Sequence, residues 1–252
     1  MQKKIVIFGA SQMAEQMKIL LEHETNKVIE GFIVDDEYFK FDRFCNLQVV
    51  PFSKINDVFP CNEFSVILGI GMKKMNINRE RVYLSLKKRG YEVEGFVSKN
   101  AHIYTNDIGE GNIFLPNCVI APKVKIGNAN FFDINTAICH HSKIGNYNFF
   151  AVAASTAGDV TVGNSCFIAS NSIIRNSIVV KDRTLVGAGA YLDKDTLEDS
   201  IFVPARGLFL KYGIDSCYNA NEKNTNVSDG GGYKATLTFK HALLCYPIGK
   251  VA

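Results

Sequence analysis

The stretch Ile138-Cys139-His140-His141-Ser142-Lys143-Ile144-Gly145-Asn146-Tyr147-Asn148-Phe149-Phe150 carries the period that decides the fold. Ile138, Ile144 and Phe150 stand six residues apart. The same step gives Ile108, Phe114, Ile120, Ile126 and Phe132 before them. After them it gives Thr156, Val162, Ile168, Ile174, Val180, Val186 and Leu192. Fourteen of the fifteen positions are apolar, and only Thr156 departs. A helix has no six-residue repeat, and an isolated strand has period two. Glycines 109, 127, 145 and 163 follow the apolar residue at intervals of 18, three hexads each. Two positions before the apolar residue stand mostly small or turn-forming residues: Asn106, Asn112, Cys118, Asn130, Thr136, Ser142, Asn148, Ala154, Cys166 and Ser172. This is the pattern of a hexapeptide parallel β-helix, in which each hexad is one flat side and three hexads close a triangular coil. Phe131, Phe149 and Phe167, each one residue before an inward position, point outward and are candidates for a trimer face.

Upstream the period changes. Lys3–Phe8, Val28–Val34, Phe64–Ile70 and Tyr91–Val97 read as four strands. Ala10, Ala14, Met17 and Leu21 recur at helical spacing, and a second helix runs from about Asn78 to Arg89, ending at Gly90. Strand–helix–strand order implies a small parallel sheet. Three segments follow: a Rossmann-like α/β domain over 1–97, a β-helix over 98–206 and an extension of unknown structure over 207–252. In that extension Asn219–Gly232 reads as a flexible loop and Tyr233–Cys245 as apolar enough to pack.

Composition is that of a globular protein: 47% hydrophobic, 21% charged, net charge +3. So small a charge gives no case for nucleic acid, and no apolar run is long enough for membrane insertion. Seven scattered Cys without a CxxC pair fit reduced thiols, and the N-terminus leads straight into a strand, so a cytoplasmic location is expected.

His140-His141 interrupts a repeat whose other turns carry small residues. The pair reads either as surface side chains at a corner or as a general base, since neutral imidazole is available near pH 7. Cys139 acting on His140 as a nucleophile–base dyad is sterically poor, because adjacent side chains in extended chain point to opposite faces. Zinc needs three ligands, and the only other histidine of the repeat, His102, lies at its start, so no metal is expected. Near the N-terminus, Gly9-Ala10-Ser11-Gln12-Met13-Ala14 keeps one glycine of the GxGxxG pattern. A strand-to-helix turn of this kind still offers backbone N–H groups to a phosphate or sugar. Asp35-Asp36 reads as a ribose or base contact, or as a solvated turn. Gly69-Ile70-Gly71 ends another strand on the same edge.

Together these residues resemble the bacterial hexapeptide-repeat sugar O-/N-acyltransferases, the group of sialic acid O-acetyltransferase and the nucleotide-amino-sugar N-acetyltransferases. The resemblance covers about residues 3–206. It implies α/β plus β architecture, a Rossmann-like domain followed by a left-handed β-helix. It also implies a homotrimer that takes acetyl-CoA or another short acyl-CoA between neighbouring coils, and a nucleotide-activated amino sugar as acceptor. Residue by residue, it implies His140 as the catalytic base, with His141 where the family has an acid. The Gly158 N–H would face the thioester carbonyl. Phe149 stands where a family histidine contacts the cofactor. Ser170, Asn176 and Ala188, the last within the Gly187–Ala190 step, would also contact the cofactor. Ser11, Gln12, Met13, Asp35, Asp36, Gly71 and Met72 would contact the nucleotide-sugar. The implied activity is N-acylation of a nucleotide-linked deoxyamino sugar for surface glycan biosynthesis. Sugar O-acetylation, or a non-catalytic trimeric scaffold with a nucleotide-binding domain, are the alternatives.

Overall fold

The computed structural model describes residues 3–204 and the backbone of Thr225–Ser228 and Lys234–Leu237. Residues 1–205 form one compact unit and 206–252 a second. In the second, Thr225–Ser228 pairs antiparallel with Lys234–Leu237, so a strand stands inside the stretch expected to be loop. The remainder of the Asn219–Gly232 and Tyr233–Cys245 readings lies outside the described residues.

The chain opens with β1 (Lys4–Phe8), α1 (Gln12–Glu24), β2 (Ile29–Val34), β3 (Arg43–Phe44), β4 (Leu47–Pro51), α2 (Ile55–Val58), β5 (Phe64–Leu68) and α3 (Ile77–Lys88). Sheet order is β3-β4-β2-β1-β5, parallel except for the short β3–β4 hairpin. α1 buries Ala14, Met17 and Leu21, the spacing read from sequence. α3 ends at Gly90, whose φ of +84° suits the left-handed position after a helix. Gly9 and Gly69 let the layers close. A Cβ on Gly9 would lie 2.5 Å from the Gly69 carbonyl oxygen, and one on Gly69 would lie 2.6 Å from Ile7 Cγ2. These two glycines, rather than a GxGxxG run, allow the tight approach.

One strand expectation is corrected. Tyr91–Val97 does not form a fourth core strand: Val93 makes a single bridge to Val66, and Phe96–Val97 pairs instead with Ile113–Phe114. The chain leaves the sheet there and starts the coils. β4, missed because its apolar run Val49-Val50 is only two residues long, takes the sheet position beside β2.

From Phe96 the chain winds through three stacked parallel sheets. The first face carries Ile113–Phe114, Phe131–Phe132, Phe149–Phe150, Phe167–Ile168 and Leu185–Val186. The second carries Val119–Ile120, Ala137–Ile138, Ser155–Thr156, Ile173–Ile174 and Tyr191–Leu192. The third carries Lys125–Ile126, Lys143–Ile144, Thr161–Val162 and Val179–Val180. Register advances by 18 residues per coil, as in Phe131↔Phe149 and Ala137↔Ser155. Every hexad position from Phe114 to Leu192 is buried, Thr156 included. The corner between the third and first faces is held by side-chain ladders. The Asn130 amide donates to Asn112 Oδ1 at 3.0 Å, and the Asn148 and Cys166 backbone N–H groups donate to Oδ1 of the preceding asparagine, Asn130 and Asn148, at 2.8 and 2.7 Å.

The outward phenylalanines are not an open trimer face. Phe131 and Phe149 are 0% and 6% exposed. Together with Phe167, Ile113 and Leu115 they pack against Ile5, Ile7, Met17, Leu21 and Phe32 of the chain's own N-terminal layers. Phe131 and Phe149 stack with ring centroids 4.6 Å apart. Hydrophobic burial does operate on this face, but within one chain. Fully burying one such ring is worth about 1.5–3 kcal/mol.

Candidate active site

The residues singled out by sequence fall at three places. His140, His141, Gly158 and Asn176 share the corner between the second and third faces, at 18-residue steps in the case of His140, Gly158 and Asn176. Ser170 and Ala188 share the corner between the first and second faces. The nucleotide candidates lie at the carboxyl edge of the N-terminal sheet.

At the first corner, each coil places one residue in the left-handed region: Lys123, His141, Asp159 and Ser177 have φ of 66°, 62°, 59° and 59°. Histidine is among the residues that tolerate this conformation. His140 and His141 are both exposed, with Nδ1 atoms 3.1 Å apart and rings at 85°. One coil on, Gly158 supplies the floor under the His140 ring. A Cβ at 158 would meet His140 Cε1, Nε2 and Nδ1 at 2.5, 2.8 and 3.0 Å. The His140 carbonyl accepts the Asp159 N–H at 2.8 Å, while the Gly158 N–H has no partner among the described residues. Imidazole and amide thus sit side by side at this corner. On the other side, His141 lines a groove of about 600 Å3 with Tyr104, Lys123, Lys125 and Lys143.

Cys118 and Cys166 are buried in the coil interior. Burial pushes the Cys118 and Cys166 thiols up to about 12. Among the described residues no group of three or more His, Cys, Asp or Glu is arranged to hold a metal.

Phe149 is corrected as a cofactor contact, because its ring is committed to the seam with the N-terminal layers. Ser170 is half-buried and Ala188 exposed, on a different corner from His140, so one chain does not bring all the cofactor candidates together.

The third place is a cavity of about 370 Å3 lined by Gly9, Ser11, Asp35, Tyr38, Lys40, Phe41, Gly71, Lys73 and Arg81, among others. It opens where β2 and β5 leave β1 in opposite senses, the crevice where open α/β sheets receive ligands. Ser11, Asp35 and Gly71 line it, and Ser11 precedes the first residue of α1. Gln12, Met13, Asp36 and Met72 do not line it. Gln12 and Met72 are exposed, and Met13 packs beside the α1 core. Asp36 turns away to accept the Ser53 hydroxyl at 2.5 Å. Asp35 is already paired, with Arg81 Nη2 2.6 Å from its Oδ2. Sequence reading missed Tyr38, Lys40, Phe41, Lys73 and Arg81. The signal was the density of aromatic and basic residues directly after Asp35-Asp36 and after Gly71.

A scan against protein-family models finds no match, and no curated protein matches the chain. Solved structures do. GDP-perosamine N-acetyltransferase of Caulobacter crescentus, crystallised with CoA and GDP-perosamine as a histidine-to-alanine mutant, is similar with a TM-score of 0.72 at 16% identity, over 81% of this chain and 94% of that one. The acetyltransferase domain of PglB from Neisseria gonorrhoeae gives 0.70 at 14% identity, over 82% and 100%. It has also been solved with acetyl coenzyme A. WeeI from Acinetobacter baumannii gives 0.57 at 20%, over 80% and 94%. The fold is shared. The chain combines a Rossmann-like α/β layer with a left-handed parallel β-helix.

Proposed function

We propose that the chain is an acyl-CoA-dependent N-acyltransferase that acetylates the amino group of a nucleotide-linked deoxyamino sugar. The observation that carries the reading is the His140 imidazole resting on Gly158, whose N–H has no partner among the described residues. In this mechanism the amine attacks the thioester carbonyl while His140 Nε2 takes its proton. For Nε2 to be the acceptor, Nδ1 must carry hydrogen, and the His141 Nδ1 at 3.1 Å is placed to receive it. The Gly158 N–H would bind the developing oxyanion, a contact worth about 3–4 kcal/mol. Collapse expels the thiolate, which recovers the proton from His140, giving the amide and CoA.

The sheet-edge cavity supports a nucleotide-linked acceptor. Lys40, Lys73 and Arg81 match a diphosphate, and Tyr38 and Phe41 offer faces on which a base stacks. In one chain, however, the α/β layer covers the first face, and His140 sits on the corner opposite that face. About 15–20 Å of coil separates them. We therefore read the working site as shared between copies in a homotrimer, with His140, Gly158 and Asn176 of one chain facing Ser170 and Ala188 of another. The second face, where Val119, Ile173 and Tyr191 are exposed, is the surface for that contact rather than the covered phenylalanines. On the resemblance noted above, the product serves a surface glycan and the enzyme works in the cytoplasm. No described helix is long and apolar enough to cross a membrane.

The test uses acetyl-CoA with a panel of UDP-, dTDP- and GDP-amino sugars, GDP-perosamine among them. Thiol release is expected with at least one acceptor, and CoA at 100 times its Kd should stabilise the protein by about 2.7 kcal/mol. His140→Asn should lower kcat by about 10²–10⁴-fold with CoA binding retained. No thermal shift with CoA and no turnover on any member would favour the scaffold alternative.

A further inference from the structure

Thr156 is the one polar residue at an inward hexad position, and it lies directly below the coil that carries the histidines. It is 2% exposed and stacked between Ile138 and Ile174. A buried hydroxyl needs a partner. The Cys139 N–H donates to Thr156 Oγ1 at 3.2 Å. In the coils on either side the equivalent amides bond backbone carbonyls instead: Ala121 N–H to Ile138 and Ala157 N–H to Ile174, at 2.9 and 2.8 Å. The break in the periodicity therefore coincides with a change in how the residue before His140 is held. The segment 156–159 grips the histidine turn at three points: Thr156 Oγ1 on the Cys139 amide, Gly158 under the imidazole, and the Asp159 N–H on the His140 carbonyl.

We infer that Thr156 is a positioning residue, which sets the His140 turn through the Cys139 amide from inside the coil. It touches neither substrate nor cofactor. The assignment rests on the reading of His140 as the base. A valine has the same shape and is what the repeat asks for, so Thr156→Val should fold as well as the wild type or better. The main-chain path at Cys139 would then revert to that of its neighbours, shifting the histidine. Misplacing a reacting group by about 1 Å can cost on the order of 100-fold.

The experiment compares wild type, Thr156→Val, Thr156→Ser and His140→Asn, using acetyl-CoA and the acceptor of the panel that gives the fastest thiol release. For Thr156→Val the expected result is a kcat about tenfold lower or more, with unchanged KM for both substrates and an unchanged or higher Tm. Its crystal structure should show a displaced His140 ring. Thr156→Ser, which keeps the hydroxyl, should recover most of kcat in spite of a lower Tm. Full activity in Thr156→Val overturns the positioning role while leaving the base intact. Full activity in His140→Asn overturns the base and the positioning role with it. A loss in Thr156→Val that Thr156→Ser does not recover assigns the effect to packing and also overturns the proposal.

Discussion

Gly158 and His140 occupy one site between them: the imidazole fills the space that a side chain at 158 would need, with Cε1 2.5 Å from an ideal Cβ. The Gly158 backbone is not in the left-handed region, and the three atoms nearest an added Cβ all belong to the ring. Gly158→Ala should leave the unfolding free energy within about 1 kcal/mol of wild type and lower kcat by about 10²–10⁴-fold, the range for loss of a positioned base. Steady-state kinetics beside a melting curve checks both halves.

His141 should matter through its acceptor atom. Alanine already stands in left-handed corner positions at Ala129 and Ala153, so His141→Ala is compatible with the backbone. It should reduce kcat by less than His140→Asn does, because it removes only the group that fixes the His140 tautomer. His141→Asp, which restores an acceptor in a residue suited to φ of +62°, should regain activity. Nitrogen-15 NMR of the imidazoles should show hydrogen on His140 Nδ1 in the wild type and a tautomer mixture in the alanine variant.

In the sheet-edge cavity Arg81 is the informative substitution. It is paired with Asp35 at 2.6 Å and lines the cavity. Arg81→Ala should raise KM for the nucleotide-sugar by about 10–100-fold, equivalent to the roughly 1.5–3 kcal/mol of a charged hydrogen bond. KM for acetyl-CoA should stay unchanged. Asp36→Ala, directed at a carboxylate that holds Ser53, should change neither.

Two apolar positions separate folding from assembly. Phe131→Ala opens the fully buried seam between coil and sheet and should cost about 3–5 kcal/mol of stability. Ile173 on the second face is 47% exposed in the single chain. Ile173→Asp should leave the fold intact and convert a species of about three times 27.9 kDa into one of 27.9 kDa by light scattering.

Acid should loosen the contact of α3 with the coil. Desolvation raises the Glu110 carboxyl, but hydrogen bonds from Lys87 and from the Tyr83 hydroxyl at 2.6 Å outweigh it and hold the group below its usual value. A depressed carboxyl contributes stability that is present above its unfolded value of about 4.3 and is lost as pH falls through the lower folded one. Glu110→Gln should flatten that part of the Tm-against-pH curve and leave Tm above pH 6 lower than wild type.

The coil was legible because its rule is local: one inward residue in six, with small neighbours at the corners. Even its exception, Thr156, was visible, although its partner was not, since a bond to the Cys139 amide arises from stacking one coil on the next. The outward phenylalanines were misassigned for a related reason. Period tells which way a ring points, not what meets it, and here Met17 and Leu21 of α1 do. Tyr91–Val97 has strand composition throughout, but its ends serve two different sheets. Of the two carboxylates read together, Asp35 lines the cavity and Asp36 pairs with Ser53. Successive side chains diverge, and only the fold shows which of the two faces inward.

The repeat of 18 residues also makes the coil a ruler. Neighbouring strands are about 4.8 Å apart. A whole coil inserted ahead of His140 would slide the histidine one graduation along the axis and keep it on the same edge. An insertion of six or twelve residues would carry it to another edge, and any other length would break the hexad altogether. Length variants of this protein that keep the chemistry should therefore differ, between Phe96 and His140, in whole multiples of eighteen.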